Sequence, residues 1–176
     1  MKENNRGHYP ANGESEDSDV TLIIGVGNEF KGDDGVGIHA ARRLGKLNLS
    51  HVQIHEGVKD GMSLIELWKD KDHVILIDAA STGGEPGTIY RFNACKKALP
   101  AKFFSYSSHT FSVAEAVELS RKLTQLPSQL IIYGIEGKDF SDGVHLSDIA
   151  LRASEYVIDL ILQETKPSLQ PLNHHR

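Results

Sequence analysis

The 176 residues include one cysteine, one tryptophan and six prolines, and each scarcity narrows what the chain can be. A lone Cys95 cannot close an internal disulfide, so the fold must rest on burial of apolar surface. The length suffices for that, since a chain of this size removes roughly 70% of its unfolded surface from water. No run of eighteen apolar residues occurs, and Met1-Lys-Glu-Asn-Asn-Arg6 lacks the apolar stretch of a secretory signal, so the expected location is the cytoplasm. Positive charge is not in excess either. Nineteen Lys and Arg against 24 Asp and Glu give a formal net charge of −5, which argues against nucleic acid as the main partner. No His-Glu-x-x-His or Cys-x-x-Cys pair is present, so a self-contained zinc site has no signature here.

What is present is the profile of one soluble globular domain, with 39% hydrophobic and 24% charged residues. Residues 1–19 are too polar to bury much surface, with Glu14-Ser-Glu-Asp-Ser-Asp19 at their end, and read as a flexible leader. Residues 165–176 read as a flexible tail, which leaves 20–164 as the domain. Within it, Val20–Gly27, His73–Asp78 and Gln129–Ile135 are nearly continuous apolar runs, as expected of parallel strands covered on both faces. His51–His55 and Gly87–Phe92 alternate, and read as strands nearer an edge.

Helical spacing occurs at Val36, Ala40, Leu44 and Leu47, at Met62, Ile65 and Trp68, and at Val113, Ala116, Val117 and Leu123. A last stripe runs through Leu146, Ile149, Ala150, Ala153, Tyr156, Val157, Leu160 and Ile161 behind a possible Ser147 N-cap. All four stripes are expected in the core. The order of elements predicts a three-layer α/β/α sandwich around a five-stranded, mostly parallel mixed sheet. The short Ser81–Pro86 connection permits one antiparallel strand.

Ligands of open α/β sheets sit beyond the carboxyl ends of the parallel strands, and there the chain is acidic. The first strand leads into Gly25-Val-Gly-Asn-Glu-Phe-Lys-Gly-Asp-Asp-Gly-Val-Gly37, and the second, third and fifth strands lead to Glu56, Asp78 and Glu136. The glycine-rich turn is not a dinucleotide fingerprint: Phe30 stands three residues after Gly27, and two acids occupy the place of a pyrophosphate. A P-loop is equally excluded, because no Gly-Lys-Ser/Thr follows.

Carboxylates gathered at one sheet edge repel unless they are protonated or share a cation, and a transition metal also favours a nitrogen ligand. His109, in Ser105-Tyr-Ser-Ser-His109 ahead of a helix that Ser112 and Glu115 would cap, is the candidate to join Asp34 and Asp78. His39, His73 and His145 read as structural or solvated. His51 and His55 lack a third ligand, and Cys95 reads as inert.

From Thr21 to Leu162 the chain resembles the nickel-iron hydrogenase maturation proteases. The resemblance rests on Gly25-Val-Gly-Asn28 followed by Asp33-Asp34-Gly35-Val-Gly37, on Ile77-Asp78-Ala79, on Ser107-Ser-His109 before a helix, and on Tyr133-Gly-Ile-Glu136 with the later Gly143–Ser147 segment. It implies an α/β/α fold and an endopeptidase that trims the C-terminus of the hydrogenase large-subunit precursor, with that precursor as protein partner, while the charged surface makes a monomer the simplest expectation. It also implies that Asp34, Asp78 and His109 form both the catalytic site and the metal site. The metal would be nickel carried by the precursor rather than held permanently. Two segments depart from the family pattern. Glu56-Gly-Val-Lys-Asp-Gly61 stands where an Asp-Gly-Gly-Thr-like turn is common, and Gly137 replaces a frequent proline. Two other expectations remain: a stand-alone metal-dependent peptidase, and a non-catalytic protein that binds nickel and the precursor.

Overall fold

The computed structural model describes residues 20–58, 60–100, 103 and 112–166. The expected leader, and the tail from residue 167, lie outside them. Five strands, β1 (Thr21–Val26), β2 (Val52–Val58), β3 (His73–Ala80), β4 (Ile89–Asn93) and β5 (Gln129–Glu136), form one sheet in the order β2-β1-β3-β5-β4. All neighbours are parallel except β4 and β5. Among the described residues four α-helices accompany the sheet: α1 (Val36–Gly45), α2 (Gly61–Trp68), α3 (Val113–Lys122) and α4 (Asp148–Glu164). Among the described residues no helix is long and apolar enough to cross a membrane.

Strand alternation sends side chains to two separate cores. Leu22, Ile24, Val74, Leu76, Leu130 and Ile132 pack beneath α2 and α3. Ile23, Ile75, Ile77, Ile131 and Tyr133 pack beneath α1 and α4. The three central strands are therefore covered twice, which is why their apolar runs are unbroken, whereas the edge strands β2 and β4 remain half-exposed. Trp68, fully buried at the end of α2, donates from Nε1 to Ser120 Oγ of α3 at 3.1 Å and so joins the two helices of one layer.

Four expected core residues are exposed instead: Leu47, Met62, Leu123 and Tyr156. Leu47 lies past the end of α1, and Leu123 is the residue that ends α3. Met62 and Tyr156 sit about 100° around their helices from the buried faces, Gly61-Leu64-Ile65-Trp68 and Ala150-Ala153-Val157-Ile161. The helix starts hold as expected. Ser112 and Glu115 form a complete capping box on α3, and Ser147 caps α4 by accepting from Ala150 N–H. Ser112→Ala should cost about 1 kcal/mol in a denaturant titration, because it leaves an orphan N–H on the first turn.

On the α1/α4 side, Arg91 of β4 grips Glu164 at the end of α4 through Nε–Oε1 and Nη2–Oε2 at 2.9 and 3.0 Å, and Tyr133 Oη donates to the same carboxylate. Burial pushes the Glu164 carboxyl up, but the bonds from Arg91 and Tyr133 outweigh it and hold it below the usual range. A depressed native pKa contributes stability above the unfolded value of about 4.3 and loses it as pH falls through the native one. Glu164→Gln should therefore flatten the acid limb of the stability curve below about pH 5, read as unfolding midpoint against pH. Beyond this ion pair, Thr165 is buried and donates its hydroxyl to Ile161 O at 2.9 Å, closing the helix.

Candidate active site

β1 leaves the sheet through α1 toward β2, whereas β3 leads the other way, through β4 and α3, to β5. The carboxyl ends of β1 and β3 thus border the crevice where connections diverge to opposite sides, the position at which α/β sheets bind their ligands. Asp34 and Asp78 come from its two walls. Asp34 belongs to a single 3-10 turn, Gly32–Gly35, between β1 and α1. Asp78 is the sixth residue of β3, which continues to Ala80.

Glycines set this geometry. Gly27 has φ +128°, and a Cβ there would lie 1.9 Å from the carbonyl oxygen of Asp34. A Cβ on Gly37 would lie 2.2 Å from Ile77 O and 2.5 Å from Val26 O, so the first turn of α1 sits directly over the ends of β1 and β3. Asn28 holds the turn from within, its Oδ1 accepting from Phe30 N–H at 3.0 Å.

Both carboxyls are buried, Asp34 at 6% and Asp78 at 1% exposure. Burial, with the charge of Asp34 adding to it, pushes the Asp78 carboxyl well above the usual range, and the bond from Ala79 N–H at 2.8 Å only partly opposes this. The pair therefore favours a shared proton or a cation over two bare negative charges.

The other acids of this edge have different work. Glu136 Oε1 accepts from the N–H groups of Thr82, Gly83 and Gly84 at 2.8–3.1 Å, and its Oε2 accepts from Thr82 Oγ1 at 2.9 Å, so it shapes the connection from β3 to β4. Glu56 lies inside β2, which ends three residues later than the sequence suggested, and pairs with Arg42 at 2.9 Å. Asp33, wholly buried, was not singled out by the sequence; it binds the loop after β5 through four hydrogen bonds. Its partners lie more than 100 residues away, so no local pattern announces them. Asp60, in the departing segment after β2, caps α2 by accepting from Ser63 N–H at 2.9 Å.

The third expected ligand, His109, lies outside the described residues. Among those described, no cluster of three His, Cys, Asp or Glu residues could hold a metal ion. Cys95 is half-buried, with its Sγ on Pro127 O.

Comparison with known proteins bears on what such a crevice does. The family model for HycI hydrogenase maturation proteases matches residues 38–164. A protein of Methanocaldococcus jannaschii assigned as a hydrogenase maturation protease is 30% identical over 152 residues, spanning 82% of this chain and 96% of that protein. The hydrogenase 2 maturation protease of Escherichia coli is 24% identical over 151 residues, spanning 84% and 91%. An endopeptidase of Escherichia coli solved in solution superposes with a TM-score of 0.72 at 24% identity, over 84% of this chain and 94% of that one, which bears out the α/β/α architecture. The chain belongs to the hydrogenase maturation protease family, and its members are peptidases.

Proposed function

We propose that this peptidase removes the C-terminal extension of a nickel-loaded large-subunit precursor of a nickel-iron hydrogenase, and that Asp34, Asp78 and His109 engage the nickel which that precursor brings. The observation that carries this reading is the burial of Asp34 and Asp78 at the carboxyl ends of β1 and β3, near enough that the charge of Asp34 raises the Asp78 carboxyl. Two buried carboxylates near each other are costly without a cation, and a protein-borne metal ion supplies one only when the right client docks.

The place of His109 in the chain supports its part. Asp78 alternates with Val74 and Leu76, whose side chains lie under α2 and α3, and His109 stands three residues ahead of Ser112, the cap of α3. A carboxylate on that face and a segment entering a helix on that face suit a common ligand. Two oxygens and one imidazole nitrogen make an open donor set that leaves room for the client's own ligands.

In this mechanism the chain's residues act first by orientation. Asp34 and Asp78, fixed on a tight turn and a central strand, hold the client's nickel so that the scissile peptide lies over the crevice. A carboxylate of the site takes a proton from the attacking water, the hydroxyl adds to the peptide carbonyl, and the proton passes to the departing amine as the C–N bond breaks. The reaction belongs in the cytoplasm, where a monomer meets its precursor transiently.

Mass spectrometry of precursor incubated with the protein tests the reading. Loss of one C-terminal peptide from nickel-loaded precursor, with nickel-free precursor left intact, is the expected result. A complex without mass change would identify a binder instead. Cleavage of nickel-free, unrelated peptides would identify a stand-alone metallopeptidase.

A further inference from the structure

The carboxylate beside Asp34 is a wholly buried acid that the mechanism leaves unused. Asp33 is wholly buried, and its carboxylate accepts four hydrogen bonds from one distant segment, the loop joining β5 to α4. Oδ1 accepts from Ser147 N–H at 2.7 Å. Oδ2 accepts from Lys138 N–H at 2.7 Å, Asp139 N–H at 3.1 Å and Ser147 Oγ at 2.8 Å.

The backbone repeats the link. Asp33 N–H donates to Asp139 O at 2.8 Å, Gly32 N–H to Gly143 O at 2.8 Å, and Gly143 N–H to Phe30 O at 2.9 Å. Ser147 is also the N-cap of α4, its Oγ accepting from Ala150 N–H at 3.3 Å. The short turn that carries Asp34 is thus fastened at its centre to a 17-residue helix packed on the sheet.

We infer that Asp33 is a positioning residue for peptide cleavage: its carboxylate anchors the Gly32–Gly35 turn to the 138–147 loop and to the cap of α4, and thereby fixes where Asp34 points. A four-residue turn between a strand and a helix has little stiffness of its own. The neighbouring glycines Gly27 and Gly32, both with positive φ, permit its path without enforcing it. A carboxylate with two oxygens can take all four donors, because it presents acceptors only. An amide cannot: in either orientation its NH2 group faces at least one N–H donor, so Asp33→Asn keeps the volume and loses the anchor.

This inference rests on the proposed reading of Asp34 as a ligand of the client's nickel. Its test is steady-state processing of nickel-loaded precursor by Asp33→Asn, with the fold followed by circular dichroism and thermal unfolding. The expected result is a kcat lowered about 30-fold with KM within about 3-fold of wild type, at a temperature where the variant is folded.

Ser120→Ala, which removes the partner of Trp68 on the opposite face of the sheet, serves as the control for stability loss alone and should keep the wild-type kcat. Should Asp33→Asn fail to fold, Ser147→Ala takes over. It removes one of the four donors and should lower kcat about 3- to 10-fold. A wild-type kcat in the folded Asp33→Asn protein, or in Ser147→Ala when that substitutes for it, overturns the inference. A drop matched by Ser120→Ala at equal loss of stability overturns it too. Failure of the wild-type protein to cut the precursor strikes the proposed function instead, so the two are told apart.

Discussion

Asp78→Asn should leave the chain folded and no less stable than wild type, while processing of the precursor falls by about 10²–10³-fold, the scale on which a single preorganised electrostatic group acts in a catalytic site. The two effects have one cause. Asp78 is buried against Asp34, and its carboxyl is pushed upward chiefly by loss of water and then by its neighbour's charge. An amide of the same shape removes both penalties. It also keeps an oxygen to accept from Ala79 N–H, so the native state loses nothing that the strand requires. Precursor-borne nickel loses an anionic ligand at the same stroke. A gain or no change in the unfolding midpoint together with loss of cleavage marks a side chain retained for function at the expense of stability. Asp34→Ala and His109→Ala should likewise abolish processing in a folded chain. A variant at 78 that cleaves at the wild-type rate would remove that residue from the site.

Gly37→Ala should be among the most damaging small changes in the domain, costing about 3 kcal/mol or more, near or beyond the upper end of ordinary overpacking. The added methyl meets backbone rather than a flexible side chain. Ile77 O at 2.2 Å and Val26 O at 2.5 Å belong to the two central strands that flank the crevice. Neither strand can give way without breaking the sheet, so α1 must lift, and the turn bearing Asp34 lifts with it. Chemical denaturation should show a lower midpoint, and processing should fall even where the variant remains folded. Gly57→Ala is the contrast. Its φ of +76° adds strain of about 1–2 kcal/mol, but nothing lies within 4 Å of the new methyl, so the crevice is untouched. Equal stabilities for the two variants would refute the steric account of Gly37.

How much of this could be read in advance depended on whether the signal was local. Continuous runs such as Val74–Ile77 and Leu130–Ile135 announced strands buried on both faces, and they proved to be the neighbouring central strands β3 and β5. Ser112 with Glu115 announced a helix start within four residues. Burial at helix edges was less legible. Tyr156 and Val157 are both apolar enough for a stripe, and only the contact of α4 with the sheet decides that Val157 is inside. Carboxylates were the hardest to sort. Asp33, Asp34, Asp78, Glu56 and Glu136 look alike as acids near strand ends, yet two of them are satisfied by loop donors and one by Arg42. What separates Asp34 and Asp78 is that both are buried and the charge of one acts on the other, a relation between residues 44 positions apart that no local pattern carries.

The most direct test of the account is nickel-edge X-ray absorption on the precursor, alone and mixed with the protein under conditions that stall cleavage. Engagement of the ion by this chain predicts added oxygen and nitrogen scatterers at the nickel in the complex with wild type. It predicts fewer with Asp34→Ala, Asp78→Asn or His109→Ala. An unchanged nickel environment in a verified wild-type complex would contradict it.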